Sequence, residues 1–188
     1  MSLTSVDWST LPSPSDDGKA DHLSGATIKE TSLPSTDGTL INLSALRGTT
    51  VIYCYPMTGR PDRDLPEGWD MIPGARGCTP QSCAYRDHAA DLIAAGVDQI
   101  FGVSTQSTSE QTEAMSRLHL PFSLLSDQSG AFTAQMKMPT IEVEGVTMLK
   151  RITLILSGAT ITRVHYPVFP PDQDAQRVLS WLATGQDG

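Results

Sequence analysis

Cys78 and Cys83 are the two residues whose type and spacing could do chemistry together. They lie in Gly77-Cys78-Thr79-Pro80-Gln81-Ser82-Cys83, where a polar loop meets a helix start. Thr79 reads as the cap and Pro80 as the first helical residue. Unpaired N–H groups and the positive end of the macrodipole favour an anion there. A thiol so placed ionises more readily, and the thiolate is the nucleophile. Arg76, two residues earlier, could add positive charge.

The five-residue step to Cys83 is about 7.5 Å along a helix axis and about 500° around it. The two sulfurs diverge, and the Cα atoms lie beyond the roughly 7 Å limit for bridging. A disulfide requires the first turns of the helix to unwind. The pattern therefore suggests a reactive thiol whose oxidised form is resolved after local unfolding. Two blander readings stand beside it. Free cysteine is usually a small, buried, inert residue. A metal site is weaker, because Cys-x4-Cys is not a common zinc spacing and His88 is the only nearby third ligand. Spacing alone leaves these open.

The elements that must position the pair can be read on both sides of it. Val51-Ile52-Tyr53-Cys54-Tyr55 is β-branched and aromatic without charge, as suits a central strand buried on both faces, and Pro56 stops it. Cys54 in that run reads as core. Residues 59–77 form a long polar loop, a kind that is often functional. The helix opened by Thr79-Pro80 is expected to run to Gly96. Gln99 to Ser104 reads as the next buried strand, and Ser109 as the cap of a second helix. Short elements follow: a strand over 122–125, a helical segment over 129–138, and a hairpin turning at Glu144-Gly145. Strands are expected over 148–156 and 159–166, and a final helix over 172–182. Upstream, Thr36-Asp37-Gly38-Thr39 marks a hairpin turn. The order predicts an α/β sandwich whose mixed sheet is parallel in its first half and antiparallel in its second. Residues 1–21 read as a flexible or loosely draped N-terminal extension, with Trp8 and Leu11 as candidate anchors, and 22–188 as one domain.

The bulk numbers mostly exclude. The chain has 188 residues, 13 Lys plus Arg against 21 Asp plus Glu, and a formal net charge of −8. Nucleic acid and anionic membrane surfaces gain no electrostatic foothold from that balance. Three cysteines are too few for a disulfide-stapled scaffold. The N-terminal stretch lacks a basic start and an apolar core, and no run approaches the roughly 18 apolar residues of a membrane span. A cytoplasmic protein is the expectation.

The segments LPSTDGTLINLSALRG, VIYCYP and GCTPQSCAYRD resemble the peroxiredoxins, specifically the bacterioferritin-comigratory or Q type. FGVST, HLPFSLLSD and the RITLIL strand follow in the family's order, and the resemblance covers roughly residues 22–182. It implies a thioredoxin-like fold and a peroxidatic cysteine at Cys78, with Cys83 as the resolving partner. It also implies hydrogen peroxide or an alkyl hydroperoxide as substrate, and thioredoxin or a glutaredoxin-like protein as reductant. A monomer or a homodimer and an antioxidant role are implied too. No metal, flavin or haem is implied. The family's late-strand arginine matches Arg151 in Lys150-Arg151-Ile152-Thr153, where a guanidinium would hold the thiolate and polarise the peroxide. The family's Pro-x3-Thr-x2-Cys threonine has two placements. One takes Pro56 and Thr58 with the 59–77 loop inserted before Cys78. The other starts from Pro73 and leaves no threonine. Thr58 is the favoured candidate.

Two alternatives remain at this point. A disulfide reductase on the same fold is disfavoured, because that chemistry normally uses Cys-x2-Cys. A redox-sensing or binding module would keep the oxidisable pair and signal through helix unwinding to a partner.

Overall fold

The computed structural model describes residues 6–184. Residues 1–5 of the expected extension and 185–188 of the expected domain lie outside the described residues. The uncharged β-branched run forms strand β3 (Thr49–Cys54), preceded by a small antiparallel hairpin of β1 (Ser32–Pro34) and β2 (Leu40–Asn42). β4 (Gln99–Ser104) and β5 (Leu124–Ser126) extend the sheet in parallel on one side of β3. β8 (Ile152–Ser157) and β9 (Thr160–His165) extend it antiparallel on the other. The order β5-β4-β3-β8-β9 is the mixed sheet expected from the sequence. A separate hairpin pairs β6 (Thr140–Val143) with β7 (Val146–Leu149).

Alternation along β3 divides the molecule into two cores. Val51 and Tyr53 face a layer made by α1 (Cys78–Asp87), α2 (Ala89–Ala94), α3 (Thr108–Leu118) and α5 (Asp174–Ala183). Ile52 and Cys54 face the other core, with α4 (Ala131–Met136), Leu33 and Leu43. Cys54 and Cys78 therefore belong to opposite sides of the sheet.

Several boundaries differ from the sequence reading. The helix expected over 79–96 is two helices, broken at His88, and the first begins at Cys78 rather than after Thr79. Gly77, at φ 110°, occupies the cap position and no side chain caps the start. α3 is capped by Ser107 rather than Ser109, because Ser107 and Glu110 complete a reciprocal capping box. The strand expected over 148–156 is interrupted at Lys150 and Arg151. There β7 leaves the small hairpin and β8 enters the main sheet, and the break turns Arg151 inward.

Residues 6–25 lie along the domain. Ala20 and Leu23 join the core containing Cys54, and Trp8 packs edge-on against Phe169 with ring centroids 6.0 Å apart. Its indole N–H donates to Asp172 Oδ2 at 2.8 Å.

Candidate active site

α1 is set on β3 by a stack of aromatic rings. Tyr85 lies flat on Tyr53 at a centroid distance of 4.4 Å, and the Tyr53 hydroxyl donates to Ser82 Oγ at 3.2 Å. That packing delivers the first residue of the helix, Cys78, to the end of the sheet where β3 finishes and β8 begins. Cys78 is buried, yet it lines a cavity of about 190 Å³ with Met57, Leu65, Trp69 and Pro80 among the walls.

Arg151 reaches the sulfur from the other side. Its Nη2 lies 3.2 Å from Cys78 Sγ, and the same nitrogen faces the carbonyls of Gly74, Ala75 and Arg76 at 3.1–3.3 Å. Nη1 donates to Gln81 Oε1. Arg151 is 4% exposed, and among the described residues no carboxylate hydrogen-bonds its guanidinium. Buried cations need an anion or full hydrogen bonding, so a thiolate at Cys78 is the natural counter-charge. A fixed donor fork also suits charge developing on a peroxide oxygen. The thiol itself is within 3.6 Å of the Ala75 carbonyl.

Arg76 does not supply the charge expected of it. Its guanidinium pairs with Asp70 in the same loop, and its carbonyl accepts from Arg151. The 59–77 loop is exposed over 61–65 and packs through its second half. Trp69 and Ala75 form a small third core with Val143 and Met148 of the β6–β7 hairpin.

The structure does not bring the Thr58 hydroxyl to the sulfur. Thr58 is buried, and both its N–H and its hydroxyl donate to Gln106 Oε1, at 2.9 and 3.1 Å. Its neighbours Met57 and Gly59 line the cavity of Cys78 instead.

Cys83 lies five residues along α1 and is partly exposed; burial pushes its thiol above the ordinary value. Both cysteines are free. Cys54 is fully buried, and desolvation pushes its thiol far above the ordinary range, so it stays protonated.

Two side chains that sequence reading passed over belong to the site. Gln81 follows Cys78 by three residues, on the same face of α1 one turn on, and that spacing was a usable signal. Asp174 is fully buried and accepts from Gln81 Nε2 at 2.9 Å, from the Tyr85 hydroxyl at 2.8 Å and from Thr153 Oγ1 at 2.6 Å. No local pattern announces it.

The sequence model of the family described as Redoxin matches residues 23–179. The chain belongs to the redoxin family. This redoxin is 35% identical over 98 residues to peroxiredoxin Bcp of Escherichia coli K12, covering 52% of this chain and 53% of that one. It is 23% identical over 159 residues to chloroplastic peroxiredoxin Q of Gentiana triflora, covering 84% of this chain and 65% of the relative. The match thus spans less than two thirds of these relatives' own length. Among solved structures, peroxidoxin BcpB of Mycobacterium tuberculosis superposes with a TM-score of 0.69 at 24% identity, covering 87% of this chain and 98% of that one. The redoxin has the thioredoxin-like fold of that structure, and the curated relatives it matches are peroxiredoxins of the Bcp and Q types.

Proposed function

We propose that the chain is a thiol peroxidase acting on hydrogen peroxide and alkyl hydroperoxides through Cys78. The observation that carries this reading is the contact of Arg151 Nη2 with Cys78 Sγ at 3.2 Å, made inside a buried site that opens on a cavity. The Cys78 thiolate attacks one peroxide oxygen. The S–O bond forms as the O–O bond breaks, and the released hydroxide or alkoxide takes up a proton. Arg151 holds both the thiolate and the oxygen that gains charge.

Cys83 then attacks the sulfur of the sulfenic acid. The S–S bond forms, the S–O bond breaks, and the oxygen leaves as water. This step needs the start of α1 to unwind, since about 7.5 Å of helix separates the two positions. An external dithiol of the thioredoxin or glutaredoxin class reduces the disulfide by thiol exchange. Thr58 serves by fixing the cavity wall between Met57 and Gly59 through its bonds to Gln106. The reacting unit is one domain over 22–188, with residues 1–21 as its extension, and it works in a reducing, cytoplasmic setting as a monomer or homodimer.

The test is consumption of hydrogen peroxide by the full chain with a thioredoxin system. Wild type turns over, Cys78→Ser does not, and Cys83→Ser oxidises once and stops. Full turnover in Cys78→Ser overturns the reading.

A further inference from the structure

The side chains that hold Arg151 continue past it to a buried carboxylate that the peroxide reaction, as written, does not use. Gln81 presents its Oε1 to Arg151 and its Nε2 to Asp174, the latter at 2.9 Å. A primary amide can be placed either way round. A guanidinium has only donors, however, and a carboxylate only acceptors. Between Arg151 and Asp174 the Gln81 amide has one satisfied orientation, with its oxygen on the arginine. Replace the carboxylate by an amide and the Nε2 end of Gln81 loses its charged acceptor, which weakens the anchor on the far side of the arginine.

Asp174 is fully buried, and a buried carboxylate is costly unless something needs its charge. Three donors converge on its Oδ2, while Oδ1 has no hydrogen-bond partner and lies 3.9 Å from His165 Nδ1. Among the described residues, the side-chain hydrogen bonds of Arg151 lead to a carboxylate at Asp174, through Gln81. The backbone carbonyls of residues 74–76 constrain one guanidinium nitrogen, and Gln81 constrains the other.

We propose that Asp174 is a positioning residue for the Cys78 reaction. It fixes the Gln81 amide so that Oε1 holds Nη1 of Arg151, which keeps Nη2 on the sulfur. Asp174 touches neither peroxide nor thiol and acts through two intervening side chains. The inference rests on the peroxidase reading for the reaction it serves.

The test uses the full chain and two rates at neutral pH, oxidation of Cys78 by hydrogen peroxide and its alkylation by iodoacetamide, with thermal unfolding of each variant recorded alongside. Asp174→Asn is expected to slow both rates on the order of tenfold, the effect of one lost hydrogen bond to a charged group. Gln81→Met, which leaves Asp174 in place but cuts the link, slows them similarly. The double variant Gln81→Glu with Asp174→Asn rebuilds the relay with its ends exchanged: the amide at position 174 donates to a carboxylate at position 81 that faces Arg151. It is expected to recover most of both rates. A merely structural Asp174 would instead show losses that follow melting temperature and are not restored by the second substitution. Wild-type rates in Asp174→Asn or Gln81→Met, or a double variant no faster than Asp174→Asn, overturn the inference. If peroxide fails to oxidise Cys78 in wild type while alkylation follows the expected pattern, the peroxidase reading falls and the positioning role stands.

Discussion

Nη2 of Arg151 lies 3.2 Å from Sγ of Cys78, although 73 positions of sequence separate the two residues. The sheet makes the meeting. β8 runs antiparallel to β3 with Ile152 opposite Cys54, so Arg151 sits just beyond the end of β3, where α1 also starts. A lysine at 151 keeps the charge and loses the fork that spans Gln81, three carbonyls and the sulfur. Arg151→Lys should lower the rate of Cys78 oxidation roughly 10²-fold or more, the scale seen when one preorganised donor is removed. Rapid-mixing kinetics with hydrogen peroxide checks this, and a change under about threefold, less than 1 kcal/mol, would contradict it.

Gly77 carries the turn into α1 at φ 110°, a conformation that L side chains rarely adopt. A Cβ there would also lie 2.3 Å from Pro171 Cγ and 2.9 Å from the Trp8 ring. Gly77→Ala should destabilise the fold by about 1–3 kcal/mol from backbone strain alone, with the clash adding to it. Urea unfolding measures the difference, and an unchanged midpoint would refute the close packing around the helix start.

Trp8 covers that helix start from outside, tied down by Asp172 and Phe169. Unwinding α1 for disulfide formation has to disturb this cover. Trp8→Ala should therefore speed the step from sulfenic acid to disulfide, by about tenfold for each 1.4 kcal/mol of clamping removed. Quenched-flow mass analysis separates this step from the first oxidation. A disulfide forming no faster than in wild type would show that Trp8 does not restrain the opening.

Cys83 is held protonated by burial, its thiol raised above the ordinary value. The unfolded chain loses this proton first as pH rises. The stabilising contribution is thus complete below the unfolded thiol value of about 8.5, and it is lost as pH climbs through the higher folded value. In the Cys78→Ser variant, alkylation of Cys83 should reach half its maximal rate at a pH above that of a free cysteine. A midpoint below about 8.5 would contradict the burial argument.

How far the site was legible follows from the range of the interactions that make it. Cys78 and its helix start were readable because the signal is local: Gly77, Thr79 and Pro80 are its neighbours. Cys54 was readable as core because the run around it is β-branched, aromatic and uncharged, and the sheet order followed from the run of elements. Thr58 was misleading for a physical reason. Pro56 and Thr58 follow the strand in the family's order without its spacing, and Gln106, 48 residues on, takes the hydroxyl. The break at Lys150 and Arg151 was hidden because the apolar residues on both sides of the two cations read as one strand whichever sheet each half joins. Asp174 was invisible for the same kind of reason. It lay in the first turn of the final helix expected over 172–182, and only the closing of α5 onto α1 brings it within reach of Gln81, 93 residues away.

The central claim is that Cys78 takes the oxygen and Cys83 resolves it, and peptide mass analysis after one equivalent of hydrogen peroxide tests it most directly. Wild type should yield a Cys78–Cys83 disulfide, and Cys83→Ser a sulfenic acid on Cys78, with Cys54 unmodified in both. A sulfenic acid on Cys54 or Cys83, or an unoxidised Cys78, would contradict the account.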